Sequence, residues 1–256
     1  MAWELRKKIF RQHYPLDDYL STIASDYPSH FFLSNPSGQN VFLYLTKFVK
    51  TFSEDHFKKE FGSIKVMDWG CGKGHVAYLL RKDGGNIDCC DKENGLQDSS
   101  FEQETPIVDK YEKNVLPLNH DYLLPLQDKT YDVWLSFGVL EHVPNDNQSI
   151  KEIRRVLRKN GLFFCFNLPY LLSWPQRYAH LRGDYYHSRL YSKAIIAEMI
   201  ENNGFEIIDL WHRQLFPKNS IKYPMYQLFE AIDQFLIENT FLKYFATNIE
   251  FVAKKK

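Results

Sequence analysis

The sequence predicts an α/β fold in which a mostly parallel sheet carries helices on both faces. Three observations lead there. Between residues 63 and 167, strand-like apolar segments alternate with amphipathic helical ones. One strand runs into a glycine turn, Gly70, Gly72 and Gly74, that leaves directly as a helix. Residues 162–166 form a continuous apolar run, as a strand covered on both sides requires. The length of 256 residues allows one large α/β domain or two small ones.

The elements read as follows. Trp3, Leu5, Ile9 and Phe10 among Arg6, Lys7, Lys8 and Arg11 form a short basic amphipathic helix. A loop follows, with Pro15, Pro28 and Pro36 as breakers. Val41, Phe42, Leu45, Phe48, Val49 and Phe52 recur at helical spacing. Residues 64–69 read as a strand, 75–82 as a helix stopped by Gly84, and 86–91 as a second strand. Residues 96–118 carry no clear period. Residues 130–137 form a strand with Val133, Leu135 and Phe137 on one face. A helix over 148–159 turns Ile150, Ile153, Val156 and Leu157 inward, and Gly161 ends it. Residues 168–189 read as a loop-rich insertion. Ser192 caps a helix that Gly204 stops, and 205–211 is a strand. A long aromatic helix over 225–245 places Met225, Phe229, Ile232 and Leu236 on one face, suited to core or dimer contact. Residues 248–253 make a final strand.

Composition narrows the function. Lys+Arg and Asp+Glu each total 32, so a neutral chain has no overall field to gather phosphate backbones, and no nucleic-acid partner is expected. No apolar run is long enough to span a bilayer and no signal-peptide core is visible, so the expected location is cytoplasmic. The cysteines Cys71, Cys89, Cys90 and Cys165 lack CxxC spacing and read as reduced core thiols, with Cys89 and Cys90 facing opposite ways.

The glycine turn carries the most chemistry. Its missing Cβ atoms let the backbone bend tightly and approach a ligand. Its spacing is GxGxG, not the GxGxxG of a dinucleotide site, and it lacks the Lys-Ser or Lys-Thr of a phosphate loop. Asp68, two residues before Gly70, would repel a pyrophosphate but suits a cationic or zwitterionic ligand. Asp91, ending the next strand, can accept both hydrogen bonds of a ribose diol.

With these motifs in place, residues 66–166 resemble the class I S-adenosylmethionine-dependent methyltransferases, in their methyltransferase type 11 branch. The matching pieces are Asp68-Trp69-Gly70-Cys71-Gly72-Lys73-Gly74, Cys90-Asp91, Leu124-Pro125-Leu126, Tyr131-Asp132-Val133-Trp134-Leu135-Ser136, Val139-Leu140-Glu141-His142-Val143-Pro144, and a helix running from Glu152 to Gly161. The resemblance implies a Rossmann-like seven-stranded sheet whose last strand is antiparallel. It implies S-adenosyl-L-methionine as cofactor, with Gly70, Cys71, Gly72 and Gly74 along its methionine end. Asp68 would serve the amino-acid head, Asp91 the ribose, and Asp121 the adenine side, although His120 occupies the usual place of that acid. Ser136, Phe137 and Gly138 would face the methyl donor. Residues 1–62 would form a helical cap, and 63–256 the methyltransferase domain, with acceptor-side insertions at 168–190 and 213–246.

Methyl transfer from a sulfonium is an in-line displacement that depends chiefly on orientation and desolvation. A hydroxyl acceptor gains from a general base. His187, in the Tyr- and Arg-rich insertion, and His142 are the candidates. Some quinone-pathway O-methyltransferases are similar around Glu141-His142 but carry a further acid three residues earlier, and that set can hold a divalent metal. Gly138 stands there in this chain, so no metal is expected. The expected reaction is methyl transfer to a small or medium acceptor, an oxygen nucleophile such as a sugar or metabolite hydroxyl. The alternatives are a quinone or other lipid-type acceptor, with peripheral membrane contact through residues 3–11, and a non-catalytic partner protein of the same fold. Oligomeric state is open.

Overall fold

Strand segments that are apolar on both faces are stable only between two helical layers. In the computed structural model, which describes residues 2–26, 33, 35–92, 115–183, 187, 189–218 and 221–256, such segments form the middle of one sheet. The chain runs α1 (Ala2–Phe10), α2 (Asp18–Asp26), α3 (Pro36–Phe57), β1 (Lys65–Trp69), α4 (His75–Lys82), β2 (Asn86–Lys92), β3 (Val115–Leu118), β4 (Tyr131–Phe137), α5 (Asp146–Val156) and β5 (Leu157–Pro169). It continues through α6 (Trp174–Leu181), α7 (Lys193–Asn202), β6 (Phe205–Arg213), α8 (Tyr226–Asn239) and β7 (Asn248–Lys255).

The seven strands lie in the order β3-β2-β1-β4-β5-β7-β6. Those flanking β1 pair with it in parallel, Val66 lying opposite Ile87 on one side and Val133 on the other. β7 alone runs antiparallel, between β5 and β6. The seven-stranded sheet with its reversed last strand is as expected. Side chains alternate across it into two cores. Val66, Cys89, Val133 and Phe164 pack beneath α1, α3 and α4, while Met67, Cys90, Trp134 and Phe163 pack against α5 and α7. The adjacent cysteines thus face opposite ways, and all four cysteines are free and buried.

Several elements differ from the expectation. The loop expected before α3 contains α2, whose first turn is held by the buried carboxylate of Asp17, which accepts from the Leu20 amide at 2.9 Å. Tyr78 and Lys82 of α4 bind the same carboxylate, so a tertiary contact stabilises a helix that is weak on its own. Pro36 opens α3 rather than breaking the chain, because the first helical turn needs no proline N–H, and Asn35 caps it. Pro28 lies outside the described residues. α5 ends at Val156, and Gly161 belongs to β5, because Leu157 already pairs with Tyr131 and Arg158 binds Asp132. The loop-rich insertion contains α6, capped by Ser173 with a proline in its first turn. In the patternless stretch, β3 forms at 115–118, while 93–114 lie outside the described residues.

The aromatic C-terminal helix departs most. It ends at Asn239, and a tight 3-10 turn, Phe241–Phe245, follows. Its apolar stripe is only partly covered: Phe229 packs on Tyr223 and is half-buried, as is Leu236, whereas the fully buried side chain of the helix is an acid. Asp233 is buried against Lys218 (3.0 Å) and the Leu215 amide (2.7 Å), and Glu230 meets Asn40 and Lys218. Met225 is 72% exposed and Ile232 42% exposed. Fixed donors on the body outcompete the apolar stripe for the inward face, since a buried donor without a partner costs more than an exposed Ile.

Beside this helix, His212 at the end of β6 is buried between the rings of Tyr170 and Tyr244. Burial, reinforced by Lys193 and Lys243, lowers it from 6.5 to about 4. The unfolded chain therefore takes up a proton between those values that the folded chain refuses, so stability falls as pH drops from about 6.5 to about 4. A His212→Gln variant is expected to lose melting temperature less steeply than the wild type over that window. Parallel curves would contradict this assignment.

Candidate functional site

Ligands of open parallel sheets bind where neighbouring connections leave in opposite directions. Here that point is the boundary between β1 and β4. The glycine turn closes over the end of β1, where Gly70 and Cys71 donate their amides to the Cys90 carbonyl (2.8 and 3.2 Å) and Gly74 donates to Cys71 (2.8 Å). Gly70, Gly72 and Gly74 have φ of 66°, 50° and 77°. A Cβ on Gly70 would lie 2.5 Å from a methyl of Val139, so that position excludes every larger residue on two counts.

The turn forms one wall of a cavity of about 340 Å³ at the carboxyl ends of β1–β4. Gly70, Gly72, Asp91, Asp121, Gly138 and His142 all line it. Asp91 Oδ2 accepts from the Gly72 amide at 2.7 Å and Oδ1 from the Lys92 amide at 2.7 Å. Burial raises its carboxyl, against the opposing pull of those amides and of Lys92. Each oxygen keeps a second lone pair for a ligand hydroxyl. Asp121 lies 3.8 Å from Lys92 Nζ at the exposed rim. His120 lines the cavity too, and its Nδ1 accepts from the amides of Tyr122 and Leu123 (3.3 and 3.2 Å), which shapes the rim turn.

The other expected cofactor residues are placed around the cavity rather than along it. Asp68 is 1% exposed. Its carboxyl is raised well above the usual range by burial, then by Cys89 and Asp91, while Arg81 and the Ala77 amide oppose the rise. Cys71 is buried, its thiol raised by its hydrogen bond with Cys89 and by burial. Gly74 is the left-handed residue from which α4 starts. Ser136 is fully buried opposite Cys165, and Phe137 packs on Phe42 and Phe166 (6.2 and 4.6 Å between centroids). Trp69, Leu118, Tyr122, Leu124, Val139 and Ile153 also line the cavity. Their apolar character made them look like ordinary core positions in sequence.

Beyond Gly138 stands a second group. Glu141, in the turn after β4, is buried and its carboxyl is pushed up to about 8 by burial, with Arg189 acting the other way. His142 Nε2 lies 3.8 Å from Glu141 Oε1. His187 approaches from the segment between α6 and α7, its ring centroid 5.3 Å from that of His142. Burial lowers both imidazoles, and for His187 the nearby His142 and His180 add to the effect. Neutral imidazoles beside a ligand cavity can take a proton or bind a cation.

Residues 67–165 match the model of the methyltransferase domain family. Over those residues the chain carries a methyltransferase domain of the S-adenosylmethionine-dependent kind. A probable S-adenosylmethionine-dependent methyltransferase of Mycolicibacterium smegmatis is 30% identical over 151 residues, covering 56% of this chain and 52% of the relative. A ubiquinone biosynthesis O-methyltransferase of Rickettsia akari is 24% identical over 171 residues, covering 60% of this chain and 64% of the relative. The chain thus spans about half to two thirds of the length of these two curated relatives. The crystal structure of a Thermotoga maritima S-adenosylmethionine-dependent methyltransferase superposes with a TM-score of 0.56 at 16% identity, covering 93% of this chain and 99% of that one, a likeness of fold. S-adenosyl-L-methionine is the cofactor of this methyltransferase family, and the cavity suits it: a side-chain-free bend, a carboxylate at the end of β2 with lone pairs to spare, and apolar walls for a purine.

Proposed function

We propose that this methyltransferase moves a methyl group from S-adenosylmethionine to an oxygen nucleophile of a small or medium acceptor. The observation that carries the reading is the continuity of the cavity: Asp91 and the glycine turn stand on one side, and Gly138 and His142 stand on the other, leading to Glu141 and His187. When bound, the cofactor supplies an electrophilic methyl on a positively charged sulfur. Asp91 holds the ribose hydroxyls, and the bend from Gly70 to Gly74 lets the backbone approach the methionine end. Gly138 leaves the methyl face unobstructed. His187, with His142 beside it, orients the acceptor hydroxyl and takes its proton, and the apolar walls exclude water.

The test has two parts. Calorimetry with S-adenosylhomocysteine is expected to show binding, and a chain that binds none is a non-catalytic protein of the same fold. Among hydroxyl acceptors that turn over, His187→Ala is expected to lower kcat by about 100-fold or more, as for the loss of a general base, with cofactor affinity unchanged. Full turnover in that variant rejects the role.

A lipid-tailed acceptor is the second reading, favoured by one observation. Met225 just before α8, Leu228, Ile232 and Phe235 within it, and Phe241 and Phe245 in the turn after it are all exposed. Trp3 of α1 is exposed as well, beneath Lys7. Such an apolar surface with basic neighbours fits peripheral membrane contact. Co-sedimentation with anionic vesicles supports this reading, and its absence favours a water-soluble acceptor.

A further inference from the structure

We propose that Glu141, His142 and His187 bind one divalent transition-metal ion at the acceptor end of the cavity. One ligand atom from each lies within 4.8 Å of the other two. Ligands at about 2.1 Å from a shared ion stand roughly 3–4 Å apart, so closing the cluster on an ion needs only small side-chain movements. Glu141 Oε2 is buried and, among the described residues, has no hydrogen-bond partner. A buried carboxylate is paired, protonated or coordinated to a cation. The fixed cation nearby, Arg189, is engaged by the carbonyls of Val143 and Pro144 (2.9 and 3.2 Å) and lies 3.6 Å from Asp146, so it serves the turn rather than that oxygen.

The donor set decides the class of ion. Two imidazole nitrogens and one carboxylate with open positions suit Zn²⁺, Mn²⁺, Fe²⁺ or Co²⁺. Mg²⁺ and Ca²⁺ favour shells of oxygen, which this site lacks. Gly138 keeps one side of the cluster clear: a Cβ there would stand 3.6 Å from Glu141 Oε1. Gly138 and His142 both line the cavity, so the open coordination positions face it. The ion's role rests on the oxygen-acceptor reading and would replace the imidazole base in it: with His187 as a ligand, the ion would lower the pKa of the incoming hydroxyl so that its proton passes to solvent, and would hold its oxygen in place. The binding site itself does not depend on that reading.

The chain, stripped with chelator, is titrated with Co²⁺ and followed by visible absorption. A saturable spectrum is expected, displaced by Zn²⁺ and indifferent to Mg²⁺. His187→Ala and Glu141→Gln are each expected to weaken Co²⁺ binding at least about 10-fold. His187→Ala should still bind S-adenosylhomocysteine as the wild type does. A wild type that shows no Co²⁺ spectrum, or variants that bind Co²⁺ equally well, overturns the site. Binding of S-adenosylhomocysteine, measured separately, reports on the methyl-transfer reading, so the two failures are distinguishable.

Discussion

Replacing Asp91 with alanine is expected to lower the affinity for S-adenosylhomocysteine at least about 100-fold while leaving the fold intact. A hydrogen bond to a charged acceptor contributes about 1.5–3 kcal/mol, and a ribose diol makes two of them, which sets the lower bound. The same carboxylate receives the Gly72 amide at 2.7 Å, so its loss also frees the glycine turn to move. Asp91→Asn should fall between the two, because its carbonyl keeps one acceptor and its amide nitrogen faces donors. Calorimetry gives the affinity, and the melting temperature guards against a folding artefact. An alanine variant that binds as tightly as the wild type would show that the ribose is held elsewhere.

Glu250→Ala is expected to destabilise the protein by about 3–5 kcal/mol, lowering its melting temperature by roughly 10 °C. Glu250 is fully buried on β7, between β5 and β6. Its carboxylate accepts from Arg213 Nε, from the Asn167 amide at 3.2 Å and from Trp211 Nε1 at 3.0 Å. Removing it leaves the guanidinium of Arg213, itself 4% exposed, without its counter-charge in the interior. Arg213→Met combined with Glu250→Leu should recover most of the loss, because apolar groups of similar volume remove both desolvation costs together. Urea unfolding at neutral pH measures both. If the single variant unfolds like the wild type, the pair is not a determinant of stability. Because Asn167 also binds Arg213, and a Cβ on Gly138 would lie 3.7 Å from the Asn167 Cβ, the same network braces the wall beyond the cofactor cavity.

The glycine turn and the acid that ends β2 were legible in the residues. A glycine that must adopt positive φ, as at 70, 72 and 74, announces itself by its type, and the acid ending the next strand announces itself by its place. Helices with their own caps, such as the one Ser192 starts, were equally clear. α2 was not, since its first turn is fastened by a carboxylate shared with Tyr78 and Lys82, far along the chain. α8 has a sound helical period, yet the period does not say which face turns inward. Lys218 and Asn40 decided that by binding its acids. Gly161 looked like a helix stop, but pairing of Leu157 with Tyr131 ended the helix earlier.

Alone, the sequence determined every strand but β3, the helices that follow β1 and β4, the glycine bend and the carboxylate at the end of β2. These depend on backbone conformation and on the period of apolar side chains, both properties of neighbouring residues. Only the tertiary structure decided that His187 meets Glu141 and His142, and that the acids of α8 point inward. Those outcomes depend on which distant groups satisfy a buried charge, and no local pattern records the partner.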